Sequence, residues 1–204
     1  MRTLVPFDAS TPKTRLAPLL DVEERRTFAR AMLADVLETL ESTRADPVVL
    51  ATAPADCAVP VEVDDRPLTA AVNAQLGREA TAVVMADLAL ATPESVGRLF
   101  APTAGVTLVP GRGGGTNALV ARDLAFRVDY HGASYRDHRR IADSRDISIA
   151  TVDSFRLSTD VDEPADLVEV LLHAPDGAAG SWLGDRGFEV TVEGDDERVV
   201  ARRT

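Results

Sequence analysis

The sequence holds one cysteine, Cys57, one lysine, Lys13, and few aromatics: six Phe, two Tyr and one Trp. A lone cysteine excludes an internal disulfide and fits a reducing, cytoplasmic compartment. No apolar run approaches the ~18 residues that a membrane span needs. Pro6 breaks the amino-terminal segment too early for a signal peptide. Against the single lysine stand 21 arginines and 33 acidic residues, for a formal net charge of -11. That balance argues against nucleic acid as a partner, because phosphate backbones demand clustered Lys and Arg. It keeps a protein soluble at high salt, which suggests a halophilic source; a GC-rich genome that exchanges Lys for Arg leaves the same mark. Catalytic signatures are missing too. There is no P-loop, no strand–GxGxxG–helix unit and no Ser-His-Asp order. His131, His138 and His173 lack metal-ligand spacing, and His138 is expected on an exposed helix face.

What is present alternates strands with helices. Thr3 to Phe7 reads as a first strand, followed by a proline-containing loop to Pro18. Asp21 and Glu24 form a capping-box pattern, and Phe28, Met32, Leu33, Val36, Leu37 and Leu40 continue at helical spacing to about Glu41. Strands are expected at 47–52, 59–63, 81–85, 105–109 and 147–152. Helices are expected at 68–76, from Thr92-Pro93-Glu94, at 134–144, and from Glu163-Pro164 to His173 as the last. Pro110 to Asn117 reads as a glycine-rich loop and 155–161 as extended chain. Residues 188–192 and 198–201 alternate around Gly194-Asp195-Asp196 as a terminal hairpin. The expected fold is α/β: one domain over 1–204, with a mainly parallel sheet and a hairpin at about 187–203.

Four features fall at carboxyl ends of strands, where open parallel sheets bind ligands. Lys13, in Pro12-Lys13-Thr14-Arg15-Leu16, is a compact point charge suited to a nucleotide phosphate, or else a solvated loop residue. On either reading, a loop charge contributes little to stability. Asp87 ends the strand before it and is either a cation ligand or a turn aspartate. Asp160 and Asp162, two apart, present carboxylates on one face while Val161 points inward; a cation would relieve their repulsion, or Asp162 caps the next helix. The run Arg112-Gly113-Gly114-Gly115-Thr116-Asn117 offers unhindered N–H groups, a guanidinium and a hydroxyl to an anion, or is a flexible connector. Ser134, after Gly132, caps a helix or binds phosphate.

With Val5-Pro6-Phe7, Pro12 to Leu16, Met85-Ala86-Asp87-Leu88, Gly111 to Asn117 and Asp153 to Leu157 running on to Asp162-Glu163-Pro164, the chain resembles the 2-phospho-L-lactate guanylyltransferase family (CofC) of deazaflavin coenzyme F-420 biosynthesis. It departs from the family at Ala89, where proline is expected, and at Asp8, where a basic residue is. The resemblance implies a GT-A/Rossmann-like nucleotidyltransferase fold. It implies GTP and 2-phospho-L-lactate as substrates, with lactyl-2-diphospho-5'-guanosine and pyrophosphate as products. Phosphoenolpyruvate is the alternative acceptor, and a catalytically silent nucleotide-binding module the alternative of another class. The resemblance also implies Mg²⁺ (or Mn²⁺) on Asp87, Asp160 and Asp162, acceptor binding by Thr116, Ser134 and a third position at His131 or Gly132, of which Gly132 is preferred, and a homodimer. Lys13, Arg15 and Arg112 supply the positive charge that joining two anions needs. A phosphate monoester is largely dianionic at neutral pH, so the nucleophile is already deprotonated and no general base is required. Asp64 or Asp65 is expected to read guanine by accepting from its N1 and exocyclic amine.

Overall fold

A computed structural model describes residues 1–194 and 197–204. Seven strands form the main sheet: β1 (Arg2–Phe7), β2 (Asp46–Ala51), β3 (Val61–Val63), β4 (Thr81–Val84), β5 (Val106–Pro110), β6 (Thr116–Ala121) and β7 (Ile149–Thr151). Their spatial order is β3-β2-β1-β4-β6-β5-β7. Every pairing is parallel except those of β6, which runs antiparallel to both β4 and β5. The central strands are buried on both faces, which is why they read as continuous apolar runs.

Helices cover both faces of the sheet. On one face lie α1 (Val22–Glu41), α3 (Pro93–Phe100), α5 (Phe155–Ser158), α6 (Leu167–His173) and α7 (Ala178–Gly184), packed on a core that includes Val5, Phe28, Val84 and Trp182. On the other face α2 (Leu68–Gln75) and α4 (Ser134–Asp143) cover Leu4, Leu50, Val83 and Leu108. The capping box at Asp21 is present: its carboxylate accepts the Glu24 N–H at 2.8 Å, and Glu24 accepts the Asp21 N–H at 3.0 Å. Gly77 closes α2 with φ +90°, a backbone that favours glycine. The hairpin of β8 (Phe188–Glu193) and β9 (Arg198–Arg203) stands apart from the main sheet, with Phe188 buried beneath it. Part of its expected turn, Asp195-Asp196, lies outside the described residues. No described helix is long and apolar enough to cross a membrane.

The structure corrects four expectations. Thr116 to Ala121 is a buried strand, so the glycine-rich loop ends at Gly115 rather than Asn117. Residues 155–158 are helical, because Ser154 accepts the Leu157 N–H and starts a turn. A further helix, α7, follows the one expected to be last; Asp35 of α1 accepts its first N–H groups, from Ala178 at 2.6 Å and Ala179 at 2.9 Å. His138 is fully buried, since Ser134, His138 and Ala142 line the inward face of α4 at i, i+4 spacing.

Candidate active site

The chain reverses its direction of sheet growth between β1 and β4, which opens a crevice at their carboxyl ends. Because β6 is antiparallel, its amino end, Thr116 and Asn117, reaches the same edge. All four sequence features therefore meet along one rim.

The loop after β1 is anchored by Leu16 and Leu20, both buried. That anchoring holds Lys13 in a left-handed backbone, φ 54° and ψ 44°. Its ammonium donates to Asp87 Oδ2 at 2.7 Å and to Asp162 Oδ1 at 3.0 Å. Burial alone would lower the Lys13 pKa, but the two carboxylates outweigh it and hold it above its ordinary value. Lys13 is thus no solvated loop charge; only 10% of its side chain is exposed. That burial argues against the expectation that its charge matters little to stability. Arg15, 66% exposed, donates to Asp162 Oδ2 at 3.0 Å and leaves the rest of its guanidinium to solvent.

Asp87 follows β4, and its backbone carbonyl accepts the Val161 N–H at 3.2 Å, which ties residues 160–162 to the crevice. Asp87 Oδ1 is buried with no hydrogen-bond partner among the described residues. Val161 is fully buried, as the two-residue spacing required. Asp160 Oδ1 accepts from Asn117 Nδ2 at 3.1 Å. Burial, and then the charge of Asp87, raise the Asp160 pKa above the ordinary carboxylate value. Asp162 does not cap the following turn with its side chain. Glu163 is the capping residue there, and Asp166 accepts the N–H groups of Asp162 at 3.0 Å and Glu163 at 2.8 Å. Arg112 pairs with that same Asp166, so it braces the aspartate-bearing turn as well as facing the crevice. Sequence reading gave Asn117 and Asp166 no such role. The EPAD spacing of a capping box was the available signal for Asp166.

Among the described residues, no three His, Cys, Asp or Glu side chains stand as a metal cluster; the Lys13 ammonium lies between Asp87 and Asp162 instead. The donor set still suits a hard divalent cation, because Asp87 Oδ1 lacks a partner and Asp160 stands, half-buried, in the field of the Asp87 and Asp162 carboxylates, which a cation would relieve. Two cavities border Asp162. One, of about 220 Å³, is lined by Phe7, Lys13, Met85 and Asp87; the other, of about 260 Å³, by Arg15, Arg112, Gly113 and Asp160. A third, of about 190 Å³, shares Phe7, Asp8 and Met85 with the first and extends to Thr52, Asp64 and Arg66. Asp64 there is paired with Arg66, which holds its carboxyl down at about 2.

In the glycine loop, the Gly114 N–H is spent on Gly111 O at 3.0 Å and the Arg112 N–H on Ser158 O at 3.1 Å. Gly113 and Gly115 keep N–H groups without partners among the described residues. Gly114 has φ +84°, and a Cβ there would meet nothing closer than Ala133 Cβ at 3.9 Å. A larger residue at 114 would therefore act by backbone strain, not by crowding. Thr116 and Ser134 are both buried, with their hydroxyls 3.5 Å apart. Ser134 does not cap α4: Ala133 holds the capping position and no side chain serves. Gly132, φ +49°, turns the chain into that helix with open space around it.

This parallel-edge crevice, with a basic loop after the first strand and carboxylates opposite, defines a nucleotidyltransferase fold. Solved structures support the class. A nucleotidyl transferase from Methanothermobacter superposes with TM-score 0.57 at 16% identity, covering 85% of this chain and 97% of that one. A CMP:2-keto-3-deoxy-manno-octonic acid synthetase solved with CTP gives TM-score 0.53 at 13% identity over 82% and 95%. At those identities the likeness shows the fold alone. Sequence supplies the family. The model described as "Guanylyl transferase CofC like" matches residues 1–203, and the chain belongs to that family. A 2-phospho-L-lactate guanylyltransferase of Halomicrobium mukohataei is 61% identical over 205 residues, spanning 100% of both chains. The protein of the same name from Haloarcula marismortui is 58% identical, over 95% of this chain and 96% of its own. The acidic, lysine-poor composition and the halophilic source it suggested fit these relatives.

Proposed function

We propose that the chain transfers the guanylyl group of GTP to the phosphate of 2-phospho-L-lactate, releasing pyrophosphate and forming lactyl-2-diphospho-5'-guanosine for coenzyme F-420. The observation that carries this reading is the meeting of Lys13, the Asp87/Asp160/Asp162 carboxylates and the glycine loop on one rim. A phosphate oxygen of the acceptor attacks the α-phosphorus of GTP; that P–O bond forms while the bond to the β-phosphate breaks, and no proton need move. The protein's task is to bring two anions together. Lys13 and Arg15 stand where the triphosphate would lie. The free N–H groups of Gly113 and Gly115, with Thr116, Ser134 and the Gly132 backbone, stand where a phosphate and a carboxylate would lie. Asp87, Asp160 and Asp162 would hold Mg²⁺ or Mn²⁺, which when bound would neutralise charge on the transferring group. The third cavity, with Thr52 and Asp64, offers room for the base.

The same reading makes the enzyme a cytoplasmic homodimer, which sedimentation would check. Pyrophosphate release from GTP tests the reaction. It should be rapid with 2-phospho-L-lactate and absent without acceptor. Faster release with phosphoenolpyruvate would move the acceptor assignment to that compound, and no release with either would reduce the chain to a nucleotide-binding module.

A further inference from the structure

His138 is a buried titratable side chain beside the glycine loop that the proposed reaction leaves without a task. Four contacts fix its chemistry. Its Nε2 accepts the backbone N–H of Asp129 at 2.9 Å, so that nitrogen carries no proton. The neutral imidazole must then carry its proton on Nδ1. Nδ1 lies 2.9 Å from Thr116 Oγ1, so the ring donates to the threonine hydroxyl. The ring has little freedom to turn: Tyr130 packs edge-to-face on it at 5.0 Å and Phe126 at 6.0 Å. Burial also pushes the His138 pKa down to about 4, against the opposing pull of Asp129 and Asp137, so the ring stays neutral at working pH.

This arrangement determines what the two nearby hydroxyls offer. Thr116 and Ser134 share one contact, at 3.5 Å, and Thr116 already receives a hydrogen from His138. Ser134 donates in that contact, so the Thr116 hydroxyl accepts twice and its own hydrogen has no recipient among the described residues. We propose that His138, locked in its Nδ1–H form by the Asp129 backbone, is a positioning residue that makes the Thr116–Ser134 pair a net hydrogen-bond donor to the anionic acceptor. In the opposite tautomer Thr116 would give its hydrogen to the ring, and the pair would present lone pairs to an anion. The inference rests on the assignment of Thr116 and Ser134 to the acceptor made above.

Two isosteric variants separate the ring nitrogens. His138→Gln keeps an acceptor near the Nε2 position for the Asp129 N–H but loses the donor to Thr116. His138→Asn keeps a donor near the Nδ1 position. Steady-state kinetics should show the acceptor KM raised about tenfold in His138→Gln, with GTP affinity unchanged, and a clearly smaller rise in His138→Asn. Thr116→Val should raise the acceptor KM on its own, and adding His138→Gln to it should raise it no further. Equal effects of the Gln and Asn variants, or additivity with Thr116→Val, would refute the positioning role. A Thr116→Val enzyme with unchanged acceptor KM would instead overturn the acceptor assignment, and this inference with it. Should a His138 variant not fold, ¹⁵N NMR of the wild-type imidazole decides: a protonated Nε2 sinks the proposal, and a protonated Nδ1 supports it.

Discussion

Replacing Lys13 by methionine removes a charge while keeping the buried stem, and the structure gives its consequences a size. At an effective dielectric of about 20, the ammonium attracts Asp87 at 2.7 Å by roughly 6 kcal/mol before desolvation is counted. Burying the ammonium offsets most of that. Breaking a well-buried ion pair typically costs about 3–5 kcal/mol, because the partner is left uncompensated. Asp87 and Asp162 are 25% and 37% exposed, so water screens part of the loss and about 2 kcal/mol is the reasonable expectation. For a chain of this length that is a fall of about 4–8 °C in melting temperature. In Lys13→Met, Asp87, Asp160 and Asp162 face one another with no internal cation, so Mg²⁺ should bind them more tightly than in wild type. Thermal melting at fixed high ionic strength, with and without Mg²⁺, reads both effects. The variant should melt lower without Mg²⁺, regain most of the difference with it, and lose turnover in either case. A variant that melts with wild type would refute the stabilising role of the ammonium. An equal Mg²⁺ shift in both proteins would refute the three aspartates as the cation site.

Gly114→Val forces a β-branched residue into φ +84°, at a cost of about 1–2 kcal/mol, and should raise the acceptor KM while calorimetric GTP affinity holds within about twofold. His138 has its pKa lowered by burial from 6.5 to about 4, so the unfolded chain binds the extra proton first. Its contribution is fully present above about pH 6.5 and is lost as pH falls towards 4, by at most about 3 kcal/mol; urea midpoints should fall more steeply over that range in wild type than in His138→Gln, and parallel curves would contradict it. Asp35→Ala strands the Ala178 and Ala179 N–H groups and should cost about 1–3 kcal/mol in urea unfolding with kcat unchanged; an altered kcat would mean that α7 reaches the crevice.

Much of this was legible because it is local. The capping box of α1, the proline-led start of α3 and the glycine that closes α2 each depend on a few adjacent residues. The inward-pointing Val161, flanked by two acidic residues, likewise announced its geometry through period-two spacing. The misreadings share a different cause. The strand at Thr116–Ala121 is short and follows a glycine run, so only its pairing with β4 and β5 reveals it. Helix α7 has little periodicity of its own and is nucleated by a carboxylate 143 residues away. His138 sits in a helix of charged residues, and its face was decided by what packs against it.

The sequence by itself determined the family and the class of chemistry, and it singled out the residues of the proposed site, because a site for two anions needs glycines, cations and carboxylates at recognisable spacings. Only the tertiary structure decided how those residues share their charges. Lys13 lies between Asp87 and Asp162, Arg112 braces Asp166, and the Asp129 backbone chooses the tautomer of His138. Hydrogen-bond partnership depends on distances of a few tenths of an ångström between segments far apart in the chain, and no local pattern encodes those.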